Sequence, residues 1–419
     1  MVVTASEAHR AIDAVWRIES ARVIAGLARM VRDVGLAEEL AQDALLAALE
    51  QWPVEGVPRN PGAWLMATGK RRAIDFIRRE QNLRKKVAIL GQELDPLGAA
   101  PVDVDAPEID DDLLRLVFVS CHPVLSTEAR VALTLRLLGG LTTDEIARAF
   151  LASESTIAQR IVRAKKALAK AEVPFEVPSR EEWPARLSSV LEVVYLVFNE
   201  GYSATAGDDW LRPSLCNEAL RLGRVLAGLM PLEPEVHGLV ALMEIQASRS
   251  AARVDSGGRP VLLLEQDRGR WDWMLIRRGL DGLARAEELG GAEGPYALQA
   301  AIAACHGRAR TASETDWGRI ASLYGVLGKV MPSPIVELNR AVAVSMADGP
   351  GAGLEMVDEL LAVPSLKGYH LLPSVRGDFL MKLGRVEEAR VEFERAASLT
   401  RNGRERTLLL ERAAACVVG

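Results

Sequence analysis

The chain has 419 residues, 49% hydrophobic and 26% charged, with a formal net charge of −6. This is the profile of a soluble globular protein of about two to four domains, which excludes fibrous and wholly disordered classes. No run of about eighteen uncharged apolar residues occurs, so no membrane span is expected, and residues 1–7 lack the basic start and apolar core of a secretory leader, so a cytoplasmic location is expected.

Strand signals are nearly absent, and apolar residues recur at intervals of three and four, which predicts an all-α protein. Residues 8–87 read as a first small bundle. Within it, residues 37–52 predict a helix with Leu40, Ala44, Ala48 and Trp52 on one stripe, and residues 53–62 a Pro/Gly loop that stops it. A basic helix follows over residues 63–80, with Trp64, Leu65, Ile74 and Ile77 on an apolar face and Lys70, Arg71, Arg78 and Arg79 on another. Residues 88–112, with three prolines and many aspartates, predict an extended acidic linker in which Asp110, Asp111 and Asp112 are solvated.

Residues 113–171 predict a second bundle ending in a helix-turn-helix. Thr142 and Glu145 have the spacing of a capping box, and Ser153 is placed to cap the next helix. Turning Ile157, Ile161 and Ala164 inward leaves Ser155, Thr156, Ala158, Gln159 and Arg160 facing out at the front, where short polar side chains reach base edges, with Arg163, Lys165 and Lys166 behind them, where phosphates run. Residues 183–419 are again helical. Gly377, Leu380, Gly384, Ala389, Phe393 and Ala396 have the small and large spacing of a tetratricopeptide-like hairpin, and residues 335–361 overlay it at a spacing of about 36.

Charge is local rather than average. Between Arg59 and Lys86 there are nine Lys/Arg and two Asp/Glu; between Glu93 and Asp112 there are eight Asp/Glu and no Lys/Arg; between Leu141 and Lys170 there are six basic and three acidic residues. Two basic faces separated by an acidic run suit a polyanion despite the negative total. The four cysteines form no CxxC pair and predict reduced buried thiols; the neighbours Cys121–His122 and Cys305–His306 leave a zinc site open as the alternative. No P-loop, GxSxG, HExxH or dinucleotide fingerprint is present, so neither an enzyme nor a cofactor is expected.

The basic bundle, acidic linker and helix-turn-helix, in that order over residues 8–171, resemble the extracytoplasmic-function (ECF) sigma factors of the sigma-70 family. The resemblance implies core RNA polymerase and promoter DNA as partners. It implies that the helix beginning Ala37-Glu38-Glu39-Leu40 docks on polymerase through Glu39, Gln42, Asp43, Leu46 and Trp52. It places minus-ten binding on Arg59, Asn60, Trp64, Lys70, Arg71, Arg78 and Arg79, and minus-thirty-five binding on Ser155, Thr156, Ala158, Gln159, Arg160, Arg163, Lys165 and Lys166. Arg71 stands where many members carry Asn. The back half is similar to a subgroup with a tetratricopeptide-like extension, through the segments Val193–Tyr202, Trp271-Asp272 and Val336–Ala343. That subgroup implies a regulatory extension and association with small DGPF-type proteins. Asn199, Glu200, Tyr202, Trp271 and Asp272 are polar or amphipathic residues in apolar text, candidates for an interface of the extension or for buried groups that tie helices together. A helix-turn-helix regulator that binds DNA without polymerase is the alternative function, and a helical scaffold or an enzyme with its site in the back half is a third.

Overall fold

A computed structural model describes residues 5–90, 109–150, 152–179, 181–203, 211–257 and 259–416. Most of the expected acidic linker, with its prolines, lies outside them. Among the described residues there are eighteen α-helices, short 3-10 turns and one isolated bridge, Val254 to Pro260. The chain divides into two compact units, residues 1–193 and 194–419.

The first unit starts with three helices, α1 (Ala5–Val31), α2 (Val34–Glu55) and α3 (Pro61–Leu90). Their apolar stripes meet in a core of Ile24, Leu27, Leu40, Ala44, Trp52, Leu65 and Ala73. A side chain at Gly69 would meet Leu27 at 2.9 Å, so glycine here lets α3 close on α1. Two expected boundaries move. Helix α2 runs past Pro53, because proline removes only its own N–H and Trp52, buried at 2% exposure, anchors the last turn; Gly56, at φ +89°, ends it. Helix α3 begins at Pro61, a residue preset for the first helical position, with Asn60 Oδ1 accepting from Ala63 N at 3.1 Å. The loop is thereby cut to residues 56–60.

Four further helices follow: α4 (Ile109–Ser120), α5 (Thr127–Leu137), α6 (Thr143–Ala149) and α7 (Glu154–Lys170). The three aspartates open α4 instead of belonging to a linker. Asp112 is not solvated: it is 4% exposed and lies 2.7 Å from Arg115 and 3.4 Å from Arg29 of α1. A carboxylate in the first turn suits the helix dipole, and two guanidiniums offset its desolvation. The start of α8 (Trp183–Tyr202) packs on the same bundle. Arg186 donates to Phe118 O at 2.9 Å, Ser189 Oγ donates to Cys121 O at 2.6 Å, and the rings of Trp183 and Phe118 lie 5.2 Å apart.

The two bundles of this unit are joined by charge as well as by α1 against α4. Glu38 of α2 is 3% exposed; Arg136 of α5 reaches its Oε1 at 2.6 Å, Lys165 of α7 pairs with its Oε2, and Gln42 donates to it at 2.5 Å. Arg17 of α1 pairs with Glu145 nearer the surface. Burial alone pushes the Glu38 carboxyl up, but Lys165 and Arg136 outweigh it and hold the group below its ordinary 4.5.

The second unit is a succession of helices after α8: α9 (Pro213–Leu229), α10 (Pro234–Ala247), α11 (Trp273–Glu288), α12 (Pro295–Arg308), α13 (Trp317–Val330), α14 (Pro334–Asp348), α15 (Pro350–Leu360), α16 (Leu371–Lys382), α17 (Val386–Leu399) and α18 (Gly403–Ala415). Five of them begin with proline at the first position. From α9 to α18 each helix packs on its neighbour in sequence, so the core is a row of clusters rather than one centre. In the α16–α17 hairpin Gly377 faces Phe393, and a Cβ there would sit 2.8 Å from the ring, while Gly384 makes the turn at φ +76°. Gly353 similarly admits Phe379 at 2.9 Å.

Two outcomes are expected. Glu38→Gln should destabilise the first unit by about 1.5–3 kcal/mol at pH 7 in urea unfolding, because two cations lose their charged acceptor. A carboxyl held low in the fold adds stability that is full above its unfolded value near 4.5 and disappears as pH falls through the lower folded value, so the wild type and the variant should converge below that pH. Gly377→Val should cost the second unit about 1–3 kcal/mol by forcing Phe393 out of place, read as a lower unfolding midpoint.

Candidate nucleic-acid interface

The helix-turn-helix is built from local hydrogen bonds. Thr142 N donates to Glu145 Oε2 at 2.8 Å and Glu145 N to Thr142 Oγ1 at 3.1 Å, the reciprocal capping box expected at the start of α6. Ser153 Oγ accepts from Thr156 N at 3.1 Å and starts α7. Ile157, Ile161, Ala164 and Leu168 are buried, which fixes the roll of the helix. Ser155, Thr156, Ala158, Gln159, Arg163 and Lys166 are exposed as the pattern required, and Arg160 is half-buried. The hydroxyls of Ser155 and Thr156 lie 2.9 and 2.7 Å from that of Ser153, so the front of the helix is a small hydroxyl cluster. Lys165 departs from expectation. It is half-buried in its pair with Glu38, so in this arrangement its ammonium does not face outward with Arg163 and Lys166.

In the first bundle, Arg59, Asn60, Arg71, Arg78 and Arg79 are exposed, and Lys70 and Trp64 are half-buried. Trp64 packs edge-on against Trp52, ring centres 5.3 Å apart, which ties the start of α3 to the end of α2. The Asn60 side chain is used as the α3 cap. Phe76, 39% exposed among the arginines of α3, had not been singled out. An uncovered aromatic one turn from exposed arginines offers a stacking face beside phosphate-binding charge, and its place in the basic stretch was the available signal.

On α2, Glu39 and Leu46 are exposed, Gln42 is hydrogen-bonded to Glu38, and Asp43 pairs with Arg72 at 3.0 Å in a solvent-exposed bridge of small energetic worth. Trp52 is a correction: it is core, at 2% exposure, and offers no surface to a partner. Val54, 85% exposed, stands bare at the same end of the helix. The helix continues past Pro53 to Glu55, and the Trp64 ring covers Trp52.

In the second unit, Asp272 caps α11, its Oδ1 accepting from Met274 N at 2.9 Å and Leu275 N at 3.1 Å. Glu200 pairs with Arg212, and Asn199 hydrogen-bonds Tyr195. Tyr202 is buried on Phe198, rings 5.5 Å apart, and Trp271 is 3% exposed. The cysteines are buried and free; burial pushes the thiol of Cys121 up to about 11 and that of Cys216 to about 12, away from reactivity. Among the described residues no group of three His, Cys, Asp or Glu could hold a metal, and no helix is long and apolar enough to cross a membrane.

Comparison with known proteins fits this geometry. Sigma-70 region 2 matches residues 17–83, Sigma-70 region 4 matches residues 115–168, and a family of unknown function (DUF6596) matches residues 186–287. An uncharacterized protein of Rhizobium meliloti (strain 1021) is 44% identical over 92% of this chain and 90% of its own length. The ECF RNA polymerase sigma factor SigK of Mycobacterium ulcerans (strain Agy99) is 31% identical over 35% of this chain and 78% of its own length, and SigK of Mycobacterium tuberculosis (strain ATCC 25177 / H37Ra) shows the same identity and coverage. No solved structure matches. Two basic helices on separate bundles, each falling within a matched sigma region, and a relative spanned over most of its length lead to one conclusion: the chain belongs to the ECF family of RNA polymerase sigma factors.

Proposed function

We propose that the chain directs core RNA polymerase to promoters by reading the minus-ten element with α3 and the minus-thirty-five element with α7, and that its second unit regulates this step. The observation that carries the reading is the pair of basic helices, each with arginines exposed on a bundle matched by the corresponding sigma region. The front of α7 enters a major groove, Ser155, Thr156, Ala158 and Gln159 meeting base edges and Arg160 flanking them, while Arg163 and Lys166 take phosphates. Arg59, Lys70, Arg71, Arg78 and Arg79 hold the melted minus-ten strand by its phosphates, and Trp64, Asn60 and Phe76 meet its unstacked bases. Glu39, Gln42, Asp43 and Leu46, with Val54, form the face offered to polymerase. The chain performs no covalent chemistry and needs no cofactor for this role.

The Glu38 clasp then has a consequence. Elements centred near minus ten and minus thirty-five are about 25 base pairs, roughly 85 Å, apart at 3.4 Å per base pair. With Glu38 of α2 in an ion pair with Lys165 of α7, the bundles do not span that distance, so engagement of a promoter opens the clasp and frees Lys165 for phosphate. The second unit, read as tetratricopeptide-like hairpins, takes the regulatory part that a separate inhibitor plays for other sigma factors, with a small DGPF-type protein as a candidate partner. The packing of Gly377 on Phe393 supports the hairpin reading.

Run-off transcription with core polymerase tests these assignments. Gln159→Ala is expected to lose about 1–3 kcal/mol of promoter affinity through a base contact with core binding unchanged. The double variant Arg78→Ala/Arg79→Ala should reduce transcription across promoters, most at low salt, with a shallower salt dependence than the wild type. Specific, tight promoter binding by the purified protein without polymerase would instead favour the free-standing regulator. Removal of residues 194–419 should change transcript output while core binding persists; unchanged output would remove the regulatory role.

A further inference from the structure

The second unit contains a concentration of buried hydrogen-bond donors that promoter recognition does not use. Tyr202 ends α8, Arg249 and Arg253 follow α10, Arg268 and Trp271 flank a 3-10 turn, and His306 lies in the last turn of α12. They form one cluster. The Arg253 guanidinium lies 3.7 Å from the centre of the Tyr202 ring; that of Arg249 lies 5.8 Å from the same ring centre and 5.9 Å from the centre of the Trp271 ring; that of Arg268 lies 4.7 Å from the Trp271 ring centre. Tyr202, Trp271, Arg268 and His306 are all at least nine-tenths buried.

The cluster is built rather than loose. Arg268 donates through Nη1 to the backbone oxygens of His306 at 2.8 Å and Ala309 at 2.6 Å, and through Nη2 to Thr315 Oγ1 at 3.0 Å. Its Nε–H is nevertheless unused. Tyr202 Oη, Trp271 Nε1, Arg249 Nε, Arg268 Nε and His306 Nδ1 are all inaccessible to solvent and lack a hydrogen-bond partner. Buried polar groups are nearly always satisfied, so five orphans in one place call for an explanation. Four of the five are N–H or O–H groups able to donate, and the histidine nitrogen can carry a proton as well. Among the described residues no carboxylate lies within ion-pair distance of Arg249 or Arg268; Glu314 acts on Arg268 only through space. Ring faces offset part of the cost of burying guanidiniums, but they accept none of the in-plane N–H groups. The field is positive throughout: together with burial, Arg249 and Arg268 push His306 down to about 3.

We propose that this cluster is a binding site for a small oxyanion, whose carboxylate or phosphate oxygens accept from Arg249, Arg268, Trp271 and Tyr202. Several oxygens on one compact ligand match several convergent donors, and net negative charge matches Arg249 and Arg268, which have no carboxylate partner among the described residues. A metal ion does not fit a set of donors that already carries positive charge, and a nucleic-acid backbone does not reach groups buried to this degree. The site lies in the unit read as regulatory, and it gives that unit a chemical input independent of DNA.

Isothermal titration of the full-length protein in chloride buffer, with inorganic phosphate in one arm and succinate in the other, tests the site. One saturable site per chain is expected for at least one anion, and which arm saturates separates phosphate from carboxylate ligands. Arg249→Gln, at a residue whose described hydrogen bonds are all made by its backbone, should leave the thermal unfolding midpoint of the unliganded protein near that of the wild type and weaken binding at least tenfold. Tyr202→Phe, which removes a single oxygen, should weaken it severalfold. Absence of saturable binding in both arms, or equal affinity in Arg249→Gln, would overturn the proposal.

Discussion

A carboxylate buried between two cations links the two bundles of the first unit. Glu38 sits on α2, and its partners Arg136 and Lys165 come from the bundle matched by Sigma-70 region 4. Taking such a charge out of water is costly and is tolerated because two cations and the Gln42 amide surround it. The same dependence makes the contact easy to switch. A partner that moves either cation leaves Glu38 without compensation, and the closed arrangement then loses the reason for its stability. A buried ion pair is a weak source of net stability but a specific one, which suits the proposed opening of this contact on a promoter.

The two basic helices are positioned by different means. Helix α7 is positioned by caps and by four apolar residues on one stripe, so its exposed front is set by the sequence of the helix itself. Helix α3 is positioned by an aromatic pair, Trp52 with Trp64, and by a glycine that admits Leu27. Its arginines are therefore fixed in direction relative to α2 and to the short loop between them. The second unit has no single centre and is held by neighbour-to-neighbour packing, so a local event such as anion capture at the Arg249–Trp271 cluster can alter one part without unfolding the rest.

Much of this was legible in the sequence. The helix-turn-helix, its capping box and its inward face follow from residue types at fixed offsets, and each of those bonds is local. What escaped depends on residues distant in the chain. Trp52 lies on the apolar stripe of α2 but carried a polymerase role through the resemblance; Trp64, twelve positions on, covers it and makes it core. Asp112 looked like linker because its neighbours are acidic; Arg29, from a helix at the other end of the unit, is what buries it. Lys165 looked like a phosphate ligand because nothing nearby in sequence claims it, and Glu38 does so across the fold. Among the polar residues noted in the extension, Asp272 proved a helix cap, whereas Tyr202 and Trp271 meet arginines that no short-range pattern connects to them.

Helices α2 and α7, joined by the Glu38–Lys165 pair, are proposed to separate when the protein joins polymerase on a promoter. Spin labels on cysteines substituted at Glu50 and Lys166, both exposed positions, would report the distance between these helices directly. The expected result is a short distance for the free protein and a shift to several tens of ångströms with core polymerase and promoter DNA together. A distance unchanged in that ternary mixture would contradict the account.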